Sequence, residues 1–220
     1  MSQFLYLLEN ANTSGTIILY LAIFITASWL MMLAQKKRKW ANVYEFRTIP
    51  FICSFIVLWI FFAFNDIGVD TPMYRGLYER YYSISSASNE YAAVEKGYQY
   101  LNVILHIFTE NGHTGVILIR SIQLSILYTS LYLLKDKIIM GYGIMAYIAL
   151  YYFQSFDLLR SSLAGVICLL SFALTYKNKR IIGFILALLA LSIHQSSILF
   201  IFTLIIYYIS SYFKKYTNTI

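Results

Sequence analysis

Residues 16–39 read TIILYLAIFITASWLMMLAQKKRK, a long apolar run followed by four consecutive basic residues. As a helix, Thr16 to Ala34 is roughly as long as the hydrocarbon core of a bilayer is thick. Because Lys and Arg favour the cytoplasmic side of membrane helices, this stretch predicts a transmembrane helix with its N-terminus outside. No Lys or Arg precedes the run, which argues against a cleavable signal peptide.

The composition excludes a soluble globular protein. Hydrophobic residues make up 60% of the chain and charged residues 12%, whereas average domains carry about 25% charged residues. The net charge of +7 comes from clusters at the ends of apolar runs, so it indicates orientation against anionic lipid and no nucleic-acid partner. Cys53 and Cys168 lie inside apolar runs without a metal-ligand spacing, so neither a metal nor a cofactor is predicted.

The same apolar-then-basic pattern recurs along the chain. The basic residues concerned are Lys135 and Lys137, Lys177 with Lys179 and Arg180, and Lys214 with Lys215. We predict an all-α fold, a polytopic membrane helical bundle of six to seven transmembrane helices forming one domain over residues 1–220. The predicted spans lie near 16–34, 49–64, 114–134, 138–156, 158–176, 181–193 and 196–209.

The last apolar stretch, residues 181–209, fits two descriptions. One is a single over-long helix, and the other is a hairpin of two short arms that meet between Ser192 and Ser197. The hairpin returns Lys214 and Lys215 to the cytoplasm, so charge favours it and places the C-terminus inside.

Residues 66–113 are predicted to form one long outer loop, because the first part of this segment is polar and rich in tyrosine. Tyrosines at three- and four-residue spacing predict a short surface helix from Thr71 to Tyr82. Ser83 to Asn89 is the expected flexible tip. The apolar segment from Tyr98 to Phe108 is too short to cross a bilayer and predicts an interfacial or re-entrant helix.

Two arginines stand near the predicted outer ends of spans, where a guanidinium is costly unless it is paired or reaches the interface. Arg120 and Arg160 together suit a phosphate or pyrophosphate, which guanidinium binds through two parallel hydrogen bonds. The structural alternative is that Arg160 pairs with Asp157 three residues earlier, while Arg120 extends to the interface.

His194 is the predicted proton acceptor of this outer face, since it stands at a break in an apolar helix. Asp70 and Glu95 of the outer loop are the other candidates for a general base. The alternative is a histidine bonded to the backbone of a span. Tyr74, Tyr78 and Tyr98 are candidates to stack on sugar rings, although most of the tyrosines fit the interfacial belts of membrane proteins.

Four motifs in this order resemble the EpsG family, which is related to the Wzy-type polysaccharide polymerases. They are Asp70-x3-Tyr74-x3-Tyr78, Glu95-Lys96-Gly97-Tyr98-x2-Leu101, Arg160-Ser161-Ser162-Leu163-Ala164 and His194-Gln195-Ser196-Ser197-Ile198. The resemblance covers about residues 45 to 205. It implies a glycosyltransferase of the bacterial cytoplasmic membrane that polymerises an exopolysaccharide, capsule or O-antigen at the outer leaflet.

The resemblance also implies a substrate and roles for the candidate residues. The substrate is an oligosaccharide repeat unit on undecaprenyl pyrophosphate, and other polysaccharide-assembly membrane proteins are expected partners beside the lipid bilayer. Arg160 and Arg120 would hold the departing pyrophosphate, with Tyr74, Tyr78 and Tyr98 at the sugars. One of His194, Glu95 or Asp70 would act on the acceptor hydroxyl.

Two other function classes stay open. Family members usually have more spans, so the chain is expected to be a truncated or divergent member, and this favours a non-catalytic component of a polysaccharide synthesis or export complex. A small-solute transporter would place Arg120 and His194 along a path, but it should show broken helices in two halves, and one break is evident. The absence of a phosphate-binding loop or HExxH motif disfavours a nucleotide-driven pump or a zinc protease.

Overall fold

The computed structural model describes residues 13–37, 44–64, 68–85 and 94–217, and these residues are mostly helical. In chain order the α-helices are α1 Thr13–Ala34, α2 Thr48–Phe64, α3 Thr71–Arg80, α4 Lys96–Leu105, α5 Gly112–Leu133, α6 Met140–Tyr147, α7 Leu159–Tyr176, α8 Arg180–Ile193 and α9 Ile198–Thr217. Two short strands, β1 Gln35–Lys37 and β2 Tyr44–Phe46, form an antiparallel pair in which Lys36 faces Glu45.

Within the described residues, α1, α5 and α7 are long and apolar enough to cross a membrane. The apolar helices α2, α8 and α9 have shorter apolar stretches. The helical membrane character predicted from the sequence is therefore confirmed. The count of six to seven spans stays a prediction, as does the single domain, because the chain divides into two compact units.

The first unit comprises Met1–Phe61 and Lys135–Phe153. Here α1 packs against α6, and the buried Ser54 hydroxyl of α2 donates to the carbonyl of Ala27 in α1 at 2.8 Å. The Gln35 side chain donates to the Ile138 carbonyl at 2.9 Å and accepts from the Met140 N–H at 2.6 Å. The Gln35 side-chain amide thus connects the end of α1 to the start of α6. It also pairs backbone groups that would have no hydrogen-bond partner in lipid.

The segment predicted as one span over residues 138–156 is built from three kinds of helix. The α-helix α6 continues into a π-helix at Ile148–Tyr152, and a 3₁₀ turn follows at Gln154–Phe156. Within the first unit, the Tyr152 hydroxyl donates to the Leu58 carbonyl at 2.8 Å. Hydropathy cannot distinguish these helix types, because they differ only in which backbone groups pair.

The second unit comprises Phe62–Leu134 and Gln154–Ile220, and its best-packed element is the α7–α8 hairpin. Asn178 adopts a positive φ of 64° in the connecting turn, a conformation that asparagine tolerates well. Gly183 of α8 lies against Ser171 and Thr175 of α7, so the two helices approach closely there. The buried Ser171 hydroxyl of α7 donates to the Gly183 carbonyl at 2.6 Å.

The segment predicted as an outer loop supplies two short helices to the second unit. The helix predicted from Thr71 to Tyr82 is confirmed as α3, which ends at Arg80 and has Pro72 in its first turn, where the missing N–H costs nothing. Its place on the membrane surface stays a prediction. The short apolar helix is confirmed as α4, while its place in a membrane interface stays a prediction. Most of the expected flexible tip lies outside the described residues. Asn111 caps α5 by accepting from the Thr114 N–H at 3.0 Å.

Candidate active site

Glu95 joins two other predicted site residues into one cluster. One of its carboxylate oxygens, Oε2, accepts a hydrogen bond from Nη1 of Arg160. The other, Oε1, lies 3.0 Å from Nδ1 of His194. Two residues that lie 65 and 99 positions after Glu95 thus meet at its carboxylate, which brings together the start of α4, the start of α7 and the end of α8.

The break after α8 gives the cluster its shape. Helix α8 ends at Ile193, His194 takes an extended conformation with φ −154° and ψ 125°, and a 3₁₀ turn follows at Gln195–Ser197. This turn aims the Gln195 N–H at the same carboxylate oxygen, Oε1 of Glu95, at 3.2 Å. The predicted break between Ser192 and Ser197 is confirmed, and it serves to present one side chain and one backbone donor to Glu95.

The surroundings of the Glu95 carboxyl favour its ionised form. Burial raises the pKa of the Glu95 carboxyl, but backbone N–H groups and the nearby charges of Arg160 and His194 oppose it, so the pKa lies below its usual value. An ionised carboxylate only accepts hydrogen bonds, so Nδ1 of His194 carries the proton. With Nδ1 protonated, the neutral form of the imidazole has its lone pair on Nε2.

Arg160 is held among aromatic residues as well as by Glu95. Burial raises the pKa of the Tyr74 hydroxyl, while hydrogen bonding and charge from Arg160 partly offset this. The ring of Tyr98 meets that of Tyr74 edge to face, with centroids 6.2 Å apart. Burial raises the pKa of Tyr98 strongly, and both Arg160 and Arg120 act against it through their charges. Tyr98 thus lies within electrostatic reach of both arginines.

Arg120 holds two helix ends together. It is buried, with 2% of its surface exposed, and donates to the Phe62 carbonyl and the Thr71 hydroxyl at 3.1 Å each. Its guanidinium also lies 5.4 Å from the ring centroids of Phe62 and Phe156. Arg120 therefore joins the end of α2 to the start of α3, and the alternative in which it extends to the interface is wrong.

Asp70 and Asp157 lie close enough for the charge of Asp70 to act on Asp157. Asp157 accepts from the Val69 N–H at 2.7 Å, so the alternative pair with Arg160 is replaced by the pair of Arg160 with Glu95. Burial raises the pKa of Asp157, and the charge of Asp70 adds to this. Asp70 precedes α3 without a side-chain cap bond, and its charge also raises the pKa of Tyr74. Asp70 thus acts electrostatically on Tyr74, which lies beside Arg160.

A model of the EpsG family matches residues 48–220 of the chain, which include the whole cluster. The chain belongs to the EpsG family. This family is associated with Wzy-like polysaccharide polymerases, so the chain is a membrane protein related to polysaccharide synthesis. Comparisons with curated proteins and with solved structures returned no match.

In this EpsG chain the predicted sugar-stacking tyrosines have protein partners. Tyr78 is fully buried, its hydroxyl donates to the Thr109 carbonyl at 2.8 Å, and its ring stacks on His106 with centroids 4.3 Å apart. Tyr98 is fully buried as well, and Tyr74 nearly so. An exposed ring occurs instead at Tyr82, in a cavity of about 430 Å³ that Glu79, His106 and Glu110 also line.

Two further contributors to the EpsG site were not singled out from the sequence. The Gln195 N–H binds Glu95 through its backbone, so its residue type carries no signal. Gly97 lies directly against Ser192, which brings α4 onto the end of α8. The sequence alone does not reveal that Gly97 packs against Ser192, because a glycine allows a close approach without indicating which residue approaches it.

Gly97→Ala is expected to disturb the site without touching its charged residues. A Cβ at this position would lie 2.6 Å from the carbonyl oxygen of Ser192, so α4 must shift and carry Glu95 with it. We expect a stability loss of about 1–3 kcal/mol and shorter surface glycan. Thermal unfolding of the purified protein and glycan length on gels measure both effects.

Gly76→Ala is the matched control, because a Cβ there meets nothing within 4 Å and the residue lies inside α3. It should leave glycan length unchanged and stability equal or slightly higher. Equal behaviour of the two variants would contradict the close packing of Gly97 on Ser192.

Proposed function

We propose that this chain is a glycan polymerase of the bacterial cytoplasmic membrane, with its N-terminus outside and its C-terminus in the cytoplasm. It would act at the outer leaflet on repeat units carried by undecaprenyl pyrophosphate. The observation that carries the proposal is the single carboxylate of Glu95 that contacts both Arg160 and His194. This arrangement combines an oriented base with a fixed cation, the two groups that glycosyl transfer from a pyrophosphate requires.

The base in this proposal is His194. The Glu95 carboxylate accepts a hydrogen bond from Nδ1–H of His194 and so fixes the imidazole, as the aspartate does in serine-protease triads. A hydroxyl of the acceptor sugar gives its proton to Nε2 while its oxygen bonds to C1 of the donor sugar. The bond between C1 and the pyrophosphate oxygen breaks at the same carbon, and the lipid pyrophosphate leaves with the electron pair. Glu95 then stabilises the imidazolium. Asp70, whose charge acts on Tyr74, is the second candidate for the base.

The leaving group is assigned to Arg160. Its guanidinium is planar and permanently charged, so two of its N–H groups suit two oxygens of a pyrophosphate. Tyr74 lies beside it, and the buried ring of Tyr98 contacts the Tyr74 ring edge to face. Because the Arg120 guanidinium already donates to Phe62 and Thr71, we assign it to hold α3 in place under the site.

The sugars are assigned to the surface beyond α3 and α4. Carboxylates accept hydrogen bonds from sugar hydroxyls, and an exposed tyrosine ring packs on the C–H face of a pyranose. The cavity lined by Glu79, Tyr82, His106 and Glu110 offers both kinds of group. Tyr78 supports that cavity by stacking on His106. Other polysaccharide-assembly membrane proteins are the expected partners.

The test is the length of surface glycan in cells that lack the gene and carry wild type, Glu95→Gln or His194→Ala. Wild type should restore long polymer, and both variants should leave mostly single repeat units, because loss of a general base typically costs about 10²–10⁴ in rate. Glu45→Gln makes the same chemical change at an exposed residue outside the cluster and should behave as wild type.

Protein levels in the membrane are matched before glycan lengths are compared. Long polymer from both variants would contradict the catalytic assignment and would favour the non-catalytic component of an assembly complex.

A further inference from the structure

An apolar groove opens beside the charged cluster. Its cavity volume is about 510 Å³, and residues of α4, α5, α7 and α8 line it. Lys96 is the one charged residue among those that line it in the described part of the chain, and it directly follows Glu95. The remaining walls are almost entirely aliphatic, so the groove suits a hydrocarbon ligand rather than a sugar.

Helix α7 shows how the groove is oriented. Its lining residues Leu163, Ile167 and Leu170 follow Arg160 at spacings of three, four and three residues. This spacing places all four on one face of the helix, over a length of roughly 15 Å. The groove therefore extends along the face of α7 that begins with Arg160.

The other two helices of the cluster show the same order. On α8 the lining residues Leu189 and Ile193 lead to His194, and on α4 the lining extends from just after Glu95 to Ile104. The charged residues contact one another, so these three lining stretches begin at a single point. One end of the groove is charged and the rest is apolar, which is the pattern of an amphiphile with an anionic head.

We propose that this groove holds the hydrocarbon chain of the lipid that carries the donor glycan, with its phosphate at Arg160. This inference rests on the proposed function and names where that substrate's lipid lies. A chain fixed beside Arg160 holds the reacting sugar carbon close to His194, and such placement lowers the barrier of a two-substrate reaction.

Two neighbouring leucines of α8 provide a matched test. Leu188 and Leu189 are both 46% exposed, but only Leu189 lines the groove. The probe is decaprenyl phosphate in competition with phosphatidylglycerol, measured by native mass spectrometry of the full chain purified in detergent. Wild type should prefer decaprenyl phosphate, and Leu189→Trp should weaken its binding about tenfold, a difference of about 1.4 kcal/mol. Leu188→Trp should leave the binding unchanged.

Ile104→Trp fills the groove from the α4 wall and should repeat the loss seen with Leu189→Trp. Equal binding by the Leu188 and Leu189 variants would overturn the inference. The lipid preference is measured on wild-type protein, so this part of the test does not depend on the folding of any variant. Equal retention of the two lipids by wild type would also overturn the inference, since the groove would then hold ordinary membrane lipid.

The binding readout involves no polymerisation, so the two proposals fail separately. Selective binding by a wild type that makes no polymer would refute the polymerase and support the groove. Polymer formation by a wild type without selective binding would refute the groove alone.

Discussion

Arg160→Lys is expected to abolish long surface polymer although it keeps the positive charge. A lysine can still pair with Glu95, but it is a point charge without the planar fork that binds two phosphate oxygens at once. Loss of one such transition-state contact typically costs about 10²–10³ in rate. Gels of surface glycan from cells complemented with wild type or Arg160→Lys, at matched membrane levels of protein, measure this loss.

Arg47→Lys is the control for that substitution, because Arg47 is exposed and far along the chain from the cluster. Its polymer should equal that of wild type. Full-length polymer from Arg160→Lys would mean that Arg160 serves only as a charge partner for Glu95, and the assignment of the leaving group to its guanidinium would be withdrawn.

Arg120→Ala is expected to act on folding before it acts on chemistry. The substitution removes hydrogen bonds to the Phe62 carbonyl and the Thr71 hydroxyl, and it leaves a cavity between Phe62 and Phe156. Hydrogen bonds from charged donors contribute about 1.5–3 kcal/mol each, so we expect a loss of about 3 kcal/mol or more. The amount of monodisperse protein after solubilisation, and its thermal unfolding midpoint, report the loss.

Arg160→Ala is the contrasting variant, since its guanidinium is partly exposed and pairs with one carboxylate. It should yield near-normal amounts of folded protein without long polymer. A stable, inactive Arg120→Ala protein would reverse our assignment and make Arg120 a ligand of the pyrophosphate, as the sequence first indicated.

Hydropathy and charge predicted the helical membrane character because lipid leaves so few alternatives to a helix. The break at His194 was predictable for a similar reason, since polar residues interrupt an apolar run there. The partner of Arg160 was not predictable. Asp157 at helical spacing was the local choice, whereas Glu95 reaches Arg160 only through the packing of α4 beside α7 and α8.

The tyrosines show the same limit. Tyrosine suits both a sugar surface and an interior, because its ring is apolar and its hydroxyl polar. Tyr78 is buried since Gly115 leaves room for its ring against α5. Tyr82, four residues later, is exposed. The three- and four-residue spacing predicted a helix that continues to Tyr82, whereas α3 ends at Arg80 and Tyr82 lies beyond it.

The central claim is that the Glu95 cluster transfers a glycan from a lipid pyrophosphate. Its most direct test uses wild-type protein purified into vesicles with a lipid-linked repeat unit and measures released lipid pyrophosphate together with glycan length. We predict one lipid pyrophosphate released for each linkage formed, and neither product from Glu95→Gln. Folded wild-type protein that releases no lipid pyrophosphate, or a Glu95→Gln protein that releases as much as wild type, would contradict the account.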